Sequence, residues 1–299
     1  MTTVAEARTL VRDRLLKGTN RIIDILNGDI NTSVTSLDTT LDALGVGQGS
    51  IIEIDDEQMF VRAKSTNTLT VIRGWNSTTA AVHADQAIIE INPRFTAKSL
   101  SDTLAEELRS WPMRFGRIDT VEVVFAANNW KVQLEPTVSG ATVYRILTSN
   151  ILDRTSDSTG QRSRIDVRLV TDRDEDEFAS GYAVQLPFVS NESITVQLDL
   201  LTNYDLSAVD TGTTELLTGI GLRSEMLDVL YYGIMWREVA TLEIGRTDTA
   251  SRTPQDNEQV PPTHLLQTSQ AIKALRDGRM QEETRRMYDT YPVMMTTEG

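Results

Sequence analysis

Ile51-Ile52-Glu53-Ile54-Asp55-Asp56-Glu57-Gln58-Met59-Phe60-Val61-Arg62 sets two short apolar runs on either side of an acidic pair. Runs of this length, rich in β-branched and aromatic residues and broken by a polar turn, predict a β-hairpin. Ser65-Thr66-Asn67 supplies the next turn, Thr68–Arg73 the next strand and Ala87–Ile91 the last one. The whole segment from 30 to 92 is rich in Thr, Ser, Val and Ile. It predicts a small β-module, a five-stranded barrel.

Both flanks return to helical spacing. Val4, Val11, Leu15, Ile22 and Leu26 recur at sevens and fours, which predicts a helix over residues 3–27 with Asn27-Gly28 as its stop. Leu100, Leu104, Leu108 and Trp111 form one stripe of a helix over 96–112, with Ser99 and Asp102 near a capping box and Pro112 at the end. Residues 118–205 are β-rich. The candidate strands are Thr120–Phe125, Trp130–Leu134, Thr142–Leu147, Arg164–Val170, Tyr182–Leu186 and Ser193–Leu200. Short strands at this spacing predict a sandwich or jelly-roll-like domain. Residues 214–244 read as helical, with Gly219 and Gly221 splitting off the first turn. Residues 246–261 read as a polar loop, and 263–290 as a helix whose apolar stripe (Leu265, Ile272, Leu275, Met287) is weak. That weakness predicts packing against something outside its own core.

The resulting fold class is α+β. A helical bundle is drawn from the N- and C-terminal segments, with a small barrel-like module and a sandwich-like domain inserted. The expected division is 1–29 with 94–117 as the first part of the helical body, then 30–93, 118–213 and 214–299.

The chain of 299 residues is 39% hydrophobic and 24% charged, the composition of a folded protein. It contains no cysteine, which excludes disulfides, thiolate metal sites and cysteine nucleophiles. Its first residues lack a basic and then apolar leader, and its longest apolar run, Val229–Trp236, is far short of a membrane span. These features predict a soluble chain made in the cytoplasm with no membrane partner. The net charge of −14 is the reverse of what phosphate neutralisation needs. It fits plain solubility, or a surface that sits beside DNA without adhering to it.

No motif assembles a reaction centre. His83 and His264 are the two histidines, and neither stands at a catalytic spacing from a serine or an acid. Asp172, Asp174 and Asp176 alternate as in a calcium loop, but Glu177 stands where glycine is needed and Ala183 where the bidentate glutamate is needed. Gly45, Gly47 and Gly49 lead into a strand, with Ser50 at the third glycine position, and read as a turn. Of Trp75, Trp111, Trp130 and Trp236, Trp130 in the second β-domain is the one that could stack on a sugar. No catalytic, cofactor-binding or metal-ligating residue is assigned, and no cofactor.

The stretch from Gly49 to Pro93 resembles a β-module common in virion proteins of tailed bacteriophages. The resemblance is carried by Ile54, Asp55 and Glu57, by Val71, Arg73 and Gly74, and by Thr79, Ala81 and His83. Gln86, after Asp85, departs from the usual glycine. With a helix before it and Thr103-Leu104-Ala105-Glu106-Glu107-Leu108 after it, the arrangement is similar to head-to-tail adaptor (connector) proteins of long-tailed phages. The resemblance implies a structural ring, typically of twelve copies, in the virion neck. The ring would dock under the portal, meet a stopper or other neck or tail protein, and pass DNA without reading its sequence. Independently of the family, Glu57 and Arg73 carry opposite charges on neighbouring strands and predict a cross-strand pair.

Three alternatives stand beside this reading. One is a minor tail or baseplate protein whose β-domain binds glycan through Trp130. Another is a bacterial protein of prophage or contractile-system origin. The third is an enzyme with a glycosidase carboxylate pair, which leaves no motif. The C-terminal segment 263–299 is the part expected to reach the portal or a neighbour.

Overall fold

The computed structural model describes residues 2–17, 21–40, 45–111, 115–136, 141–153, 163–171, 178–207, 209, 212–250 and 264–291. The class is α+β, with three apolar cores.

Helix α1 spans Val4–Leu16 and opens with a reciprocal cap: Thr3 Oγ1 accepts from Glu6 N, and Glu6 accepts from Thr3 N. The helix expected over 3–27 therefore stops early. Ile23–Asn27 is instead strand β1. Sevens and fours fit both readings of Ile22 and Leu26, but the β-branched Ile22, Ile23 and Ile25 favour an extended chain. The deciding factor is tertiary, because β1 pairs with a neighbour on each side and closes a barrel.

That barrel adds β2 (Ser36–Thr39), β3 (Ile51–Ile54), β4 (Glu57–Ser65), β5 (Thr68–Ile72) and β6 (Ile88–Ile91). The order around it is β1-β2-β5-β4-β3-β6, all antiparallel, so six strands replace the five expected. Closure removes the free edges that an open sheet of this size would expose. Leu26, Leu37, Ile52, Ile54, Met59, Val61, Leu69, Val71, Ile89 and Ile91 fill the interior. The Gly45–Gly49 stretch is a turn into β3, with left-handed φ at Gly45 and Gly49.

Helix α2 (Ala97–Arg109) buries Leu100, Leu104 and Leu108, and Trp111 beyond its end is buried too. Its cap is Thr96, which accepts from Ser99 N; Lys98 pairs with Asp102 along the surface. The Ser99–Asp102 cap is thus displaced by one three residues earlier. Pro112 lies outside the described residues.

Strands β7 (Arg117–Phe125), β9 (Val143–Asp153), β10 (Ser163–Arg164) and β13 (Ile194–Thr202) form one sheet in the order β10-β9-β13-β7. Strands β8 (Lys131–Gln133), β11 (Arg168–Val170) and β12 (Ala183–Gln185) form a second in the order β11-β12-β8. Val123, Phe125, Val196 and Leu198 from the first meet Leu134, Val184 and Leu186 in one core. The strand read over 164–170 is two, β10 and β11, which belong to different sheets.

Residues 212–223 are turns rather than the start of a helix. Val4 N donates to Thr214 O and Leu216 N to Thr2 O, so the N-terminus takes over backbone groups a helix would have satisfied internally. Helix α3 (Leu227–Ala250) follows, extending into the expected 246–261 loop; 251–263, including Pro262, lie outside the described residues. Helix α4 (His264–Thr290) lies along α3. Its Met280 and Met287 are buried in the helical core, and Ser269 Oγ donates to Trp236 O. The last helix is therefore part of the body rather than packed outside it. One apolar core joins α1, α2, α3 and α4. Among the described residues no helix is long and apolar enough to cross a membrane.

Candidate functional site

Four of the residues that carry the resemblance, Arg73, Gly74, Ala81 and His83, converge on the carboxylate of a fifth, Glu57. Asp55-Asp56 turns the β3–β4 hairpin, with Asp55 in the left-handed region (φ 54°), and Glu57 follows at the start of β4 with its side chain fully buried. Arg73 follows directly on β5 and reaches Glu57 with Nε at 2.8 Å and Nη2 at 2.7 Å, the two-pronged geometry a guanidinium favours. This is the cross-strand pair the charges predict. Gly74 N and Ala81 N add hydrogen bonds to the same carboxylate at 3.0 and 2.9 Å. Gly74 needs its left-handed φ of 61°, and a Cβ there would lie 2.9 Å from Thr78 O. Arg73 also donates to the carbonyls of Asn31, Val34 and Ala81, which ties the loops before β2 and after β5 to the same point.

His83 is 1% exposed and sits between two carboxylates, Nε2 to Glu57 at 3.0 Å and Nδ1 to Asp55 at 2.8 Å. Burial pulls its imidazole down, but the hydrogen bonds and charges of Glu57 and Asp55 outweigh that and raise it. Burial likewise pushes Glu57 up, but Arg73, His83 and the Ala81 and Gly74 amides overcome it and hold the carboxyl down at about 2. Where His83 is protonated, the site is an imidazolium and a guanidinium locked on one ionised carboxylate.

These shifts set a pH window. Glu57 contributes stability above its unfolded value near 4.5 and loses it as pH falls toward 2. His83 contributes fully below 6.5 and loses it as pH rises through its raised folded value. The cluster's contribution is expected to be greatest between about pH 4.5 and 6.5. Urea titrations across pH would check it, and a barrel equally stable at pH 3 and pH 5.5 would contradict it.

A cleft of about 400 Å³ opens beside the cluster, lined by Asp55, Glu57, Thr79, His83, Arg8 and Lys98 among others. It lies where the barrel meets α1 and α2. Arg8, 4% exposed, holds Asp56 with both oxygens at 2.8 and 2.9 Å and Ser101 Oγ at 3.0 Å. Arg12 bridges Glu53 at 2.6 Å and Glu90 at 2.9 Å, and Arg21 also holds Glu90. Glu53 further accepts from Ala97 N, the first residue of α2; its burial raises the carboxyl despite Arg12. The barrel is seated on the helices by arginines of one against carboxylates of the other.

Chemically, each charge here is spent on another. Glu57 accepts five hydrogen bonds, His83 has both nitrogens bound, and Ser101 Oγ accepts from Arg8. A general base needs a free lone pair and a nucleophile needs a free base beside it; neither His83 nor Glu57 offers one. Among the described residues no group of three His, Asp or Glu side chains is placed to hold a metal ion.

The other singled-out residues are scattered. Trp75 packs on Phe60 at 4.8 Å, Trp111 is buried, and Trp236 lies beneath Arg237 and Lys273. Trp130 is 43% exposed at the end of the sandwich. Asp172, Asp174, Asp176 and Glu177 lie outside the described residues, and Ala183 is in β12. His264 opens α4. Sequence reading missed Glu107, which is fully buried, accepts from Trp111 Nε1, Arg237 Nε and Arg276 Nε, and joins α2, α3 and α4. Its sequence context, Leu-Ala-Glu-Glu-Leu, looks like any solvated helical face.

No family model matches the chain, and no curated protein matches it.

Proposed function

We propose that this chain is a structural protein of a phage neck, a head-to-tail adaptor whose copies form a ring under the portal and line part of the DNA channel. The observation that carries the reading is the Glu57 cluster. Five of the residues that resemble the virion module, Glu57, Arg73, Gly74, Ala81 and His83, meet at one buried point where their polar groups satisfy one another and fix the barrel's loops, while Arg8 and Arg12 of α1 hold that barrel on the helical body. In this reading α1 to α4 form the ring body, with the barrel and the sandwich as excursions from it. The net charge of −14 suits a lumen that repels the phosphate backbone and lets DNA slide. The C-terminal segment 263–299, of which 264–291 are described, is the part assigned to contact with the portal or a neighbour.

Mixing the purified protein with purified portal oligomer and imaging by negative-stain electron microscopy tests this. The expected result is a ring stacked coaxially on the portal. A protein that leaves the portal bare overturns the adaptor reading. The exposure of Trp130 favours a tail protein with a glycan-binding sandwich as the second reading.

A further inference from the structure

The four-stranded sheet ends on one side at β7. Its nine residues pair with β13 one for one, without a register shift. Along its other edge, among the described residues, no backbone group of 118–125 is bonded outward. Natural sheets blunt a long edge with charged side chains, proline or a bulge, or cover it. Arg117–Phe125 has no proline and no bulge, and its charges beyond Arg117 are the buried Asp119 and the exposed Glu122. Glu122 and Val124 stand exposed on it, and Glu122 has no ion pair among the described residues.

The opposite side of the sandwich has the complementary character. Strand β9 is long, but β10 and the Ile165 amide cover it only from Ser149 to Ile151, and among the described residues no backbone group of 143–148 is bonded outward. This side carries Arg145 on β9, Arg164 on β10 and Arg168 on β11, against Asp166. Arg164 and Arg168 are exposed, and Arg145 is half-buried.

We infer that a second copy of this chain docks here, its open β9 side with Arg145, Arg164 and Arg168 lying against the β7 edge with Glu122 and Val124. An added extended strand satisfies the outward groups of an edge strand along its whole length. β7 and β9 are both antiparallel to β13, so they run in the same direction. A rotation about an axis along the strands brings β9 of one copy beside β7 of the next as a parallel pair. Charge selects this pairing over β7 against itself, which would bring two Glu122 side chains together with no arginine facing them. The two surfaces differ, so the contact is heterologous and repeats from copy to copy. Its closure into a ring rests on the neck reading; the contact itself does not.

The test is the mass of the full chain by light scattering. Wild type is expected to be an oligomer. Glu122→Arg alone, and Arg164→Glu with Arg168→Glu, are each expected to fall to the mass of one chain with unchanged circular dichroism. Mixing the two variants is expected to restore the oligomer, because the reversed charges now match. A monomeric wild type, or a reversal that keeps the wild-type mass, overturns the contact, and so does a mixture that stays monomeric. Portal imaging separates the two ideas. Rings of Glu122→Arg protein on the portal overturn the contact and leave the neck reading standing. An oligomer lost on charge reversal that ignores the portal keeps the contact and overturns the neck reading.

Discussion

Glu57→Ala is expected to cost the barrel about 3–5 kcal/mol, the largest loss of any single substitution in that module. The side chain is fully buried, and its removal strands two cations, Arg73 and the His83 imidazolium, away from water. It also frees the amides of Gly74 and Ala81. Unpaired buried charge, rather than the missing methylenes, dominates that cost. Glu57→Gln separates the two contributions. It preserves the volume and can still accept hydrogen bonds, but it removes the negative charge, so most of the loss is expected to remain. The measurement is urea unfolding combined with hydrogen exchange at the β4 and β5 amides. A Glu57→Ala protein within about 1 kcal/mol of wild type would mean that apolar closure of the six strands holds the barrel without the cluster.

The second large effect is expected in the helical body, at Glu107 and Gly233. In a solvated helix, Gly→Ala is favourable by about 1 kcal/mol. Here the sign reverses. A Cβ at position 233 would lie 2.4 Å from Glu107 Cδ and 2.5 Å from its Cγ and Oε1. Glu107 cannot swing aside, because Trp111, Arg237 and Arg276 hold it from three directions. Gly233→Ala is expected to destabilise by about 1–3 kcal/mol, and Glu107→Ala by about 3–5 kcal/mol through the abandoned guanidinium groups. The double variant tests the cause. With Glu107 shortened to alanine, the alanine at 233 has room, so adding it is expected to cost nothing or to stabilise. Additive losses in the thermal melts of the four proteins would show that Gly233 serves some purpose other than this close approach.

These two sites differ in how far they could be read beforehand. The Glu57–Arg73 pair was legible because opposite charges stood on adjacent strands of a recognisable pattern. His83 was legible as a structural residue, but its two carboxylate partners were not, since they lie 26 and 28 positions away. Nothing in the sequence marked Glu107, whose partners sit 130 and 169 residues along the chain. Buried ionic networks of this kind are set by which helices happen to meet, and a single helix does not encode that.

By itself the sequence determined the features that local patterning controls. Alternating apolar residues with turn signals placed β3 to β6 of the barrel and the main strands of the sandwich, but not β1 or β2. The Leu100–Leu104–Leu108 stripe placed α2, and the absence of cysteine excluded disulfides and thiolate chemistry. The tertiary structure decided where local signals were ambiguous or silent. Ile22 to Leu26 fit a helix and a strand equally well, and pairing with β6 and β2 selected the strand by closing the barrel. Residues 212–223 lost their helix because the N-terminus offered their backbone better partners. α4 looked too polar to belong to a core, yet α3 supplied the surface on which Met280 and Met287 are buried. In each case the free energy lies in contacts between segments distant along the chain, which a local pattern cannot record.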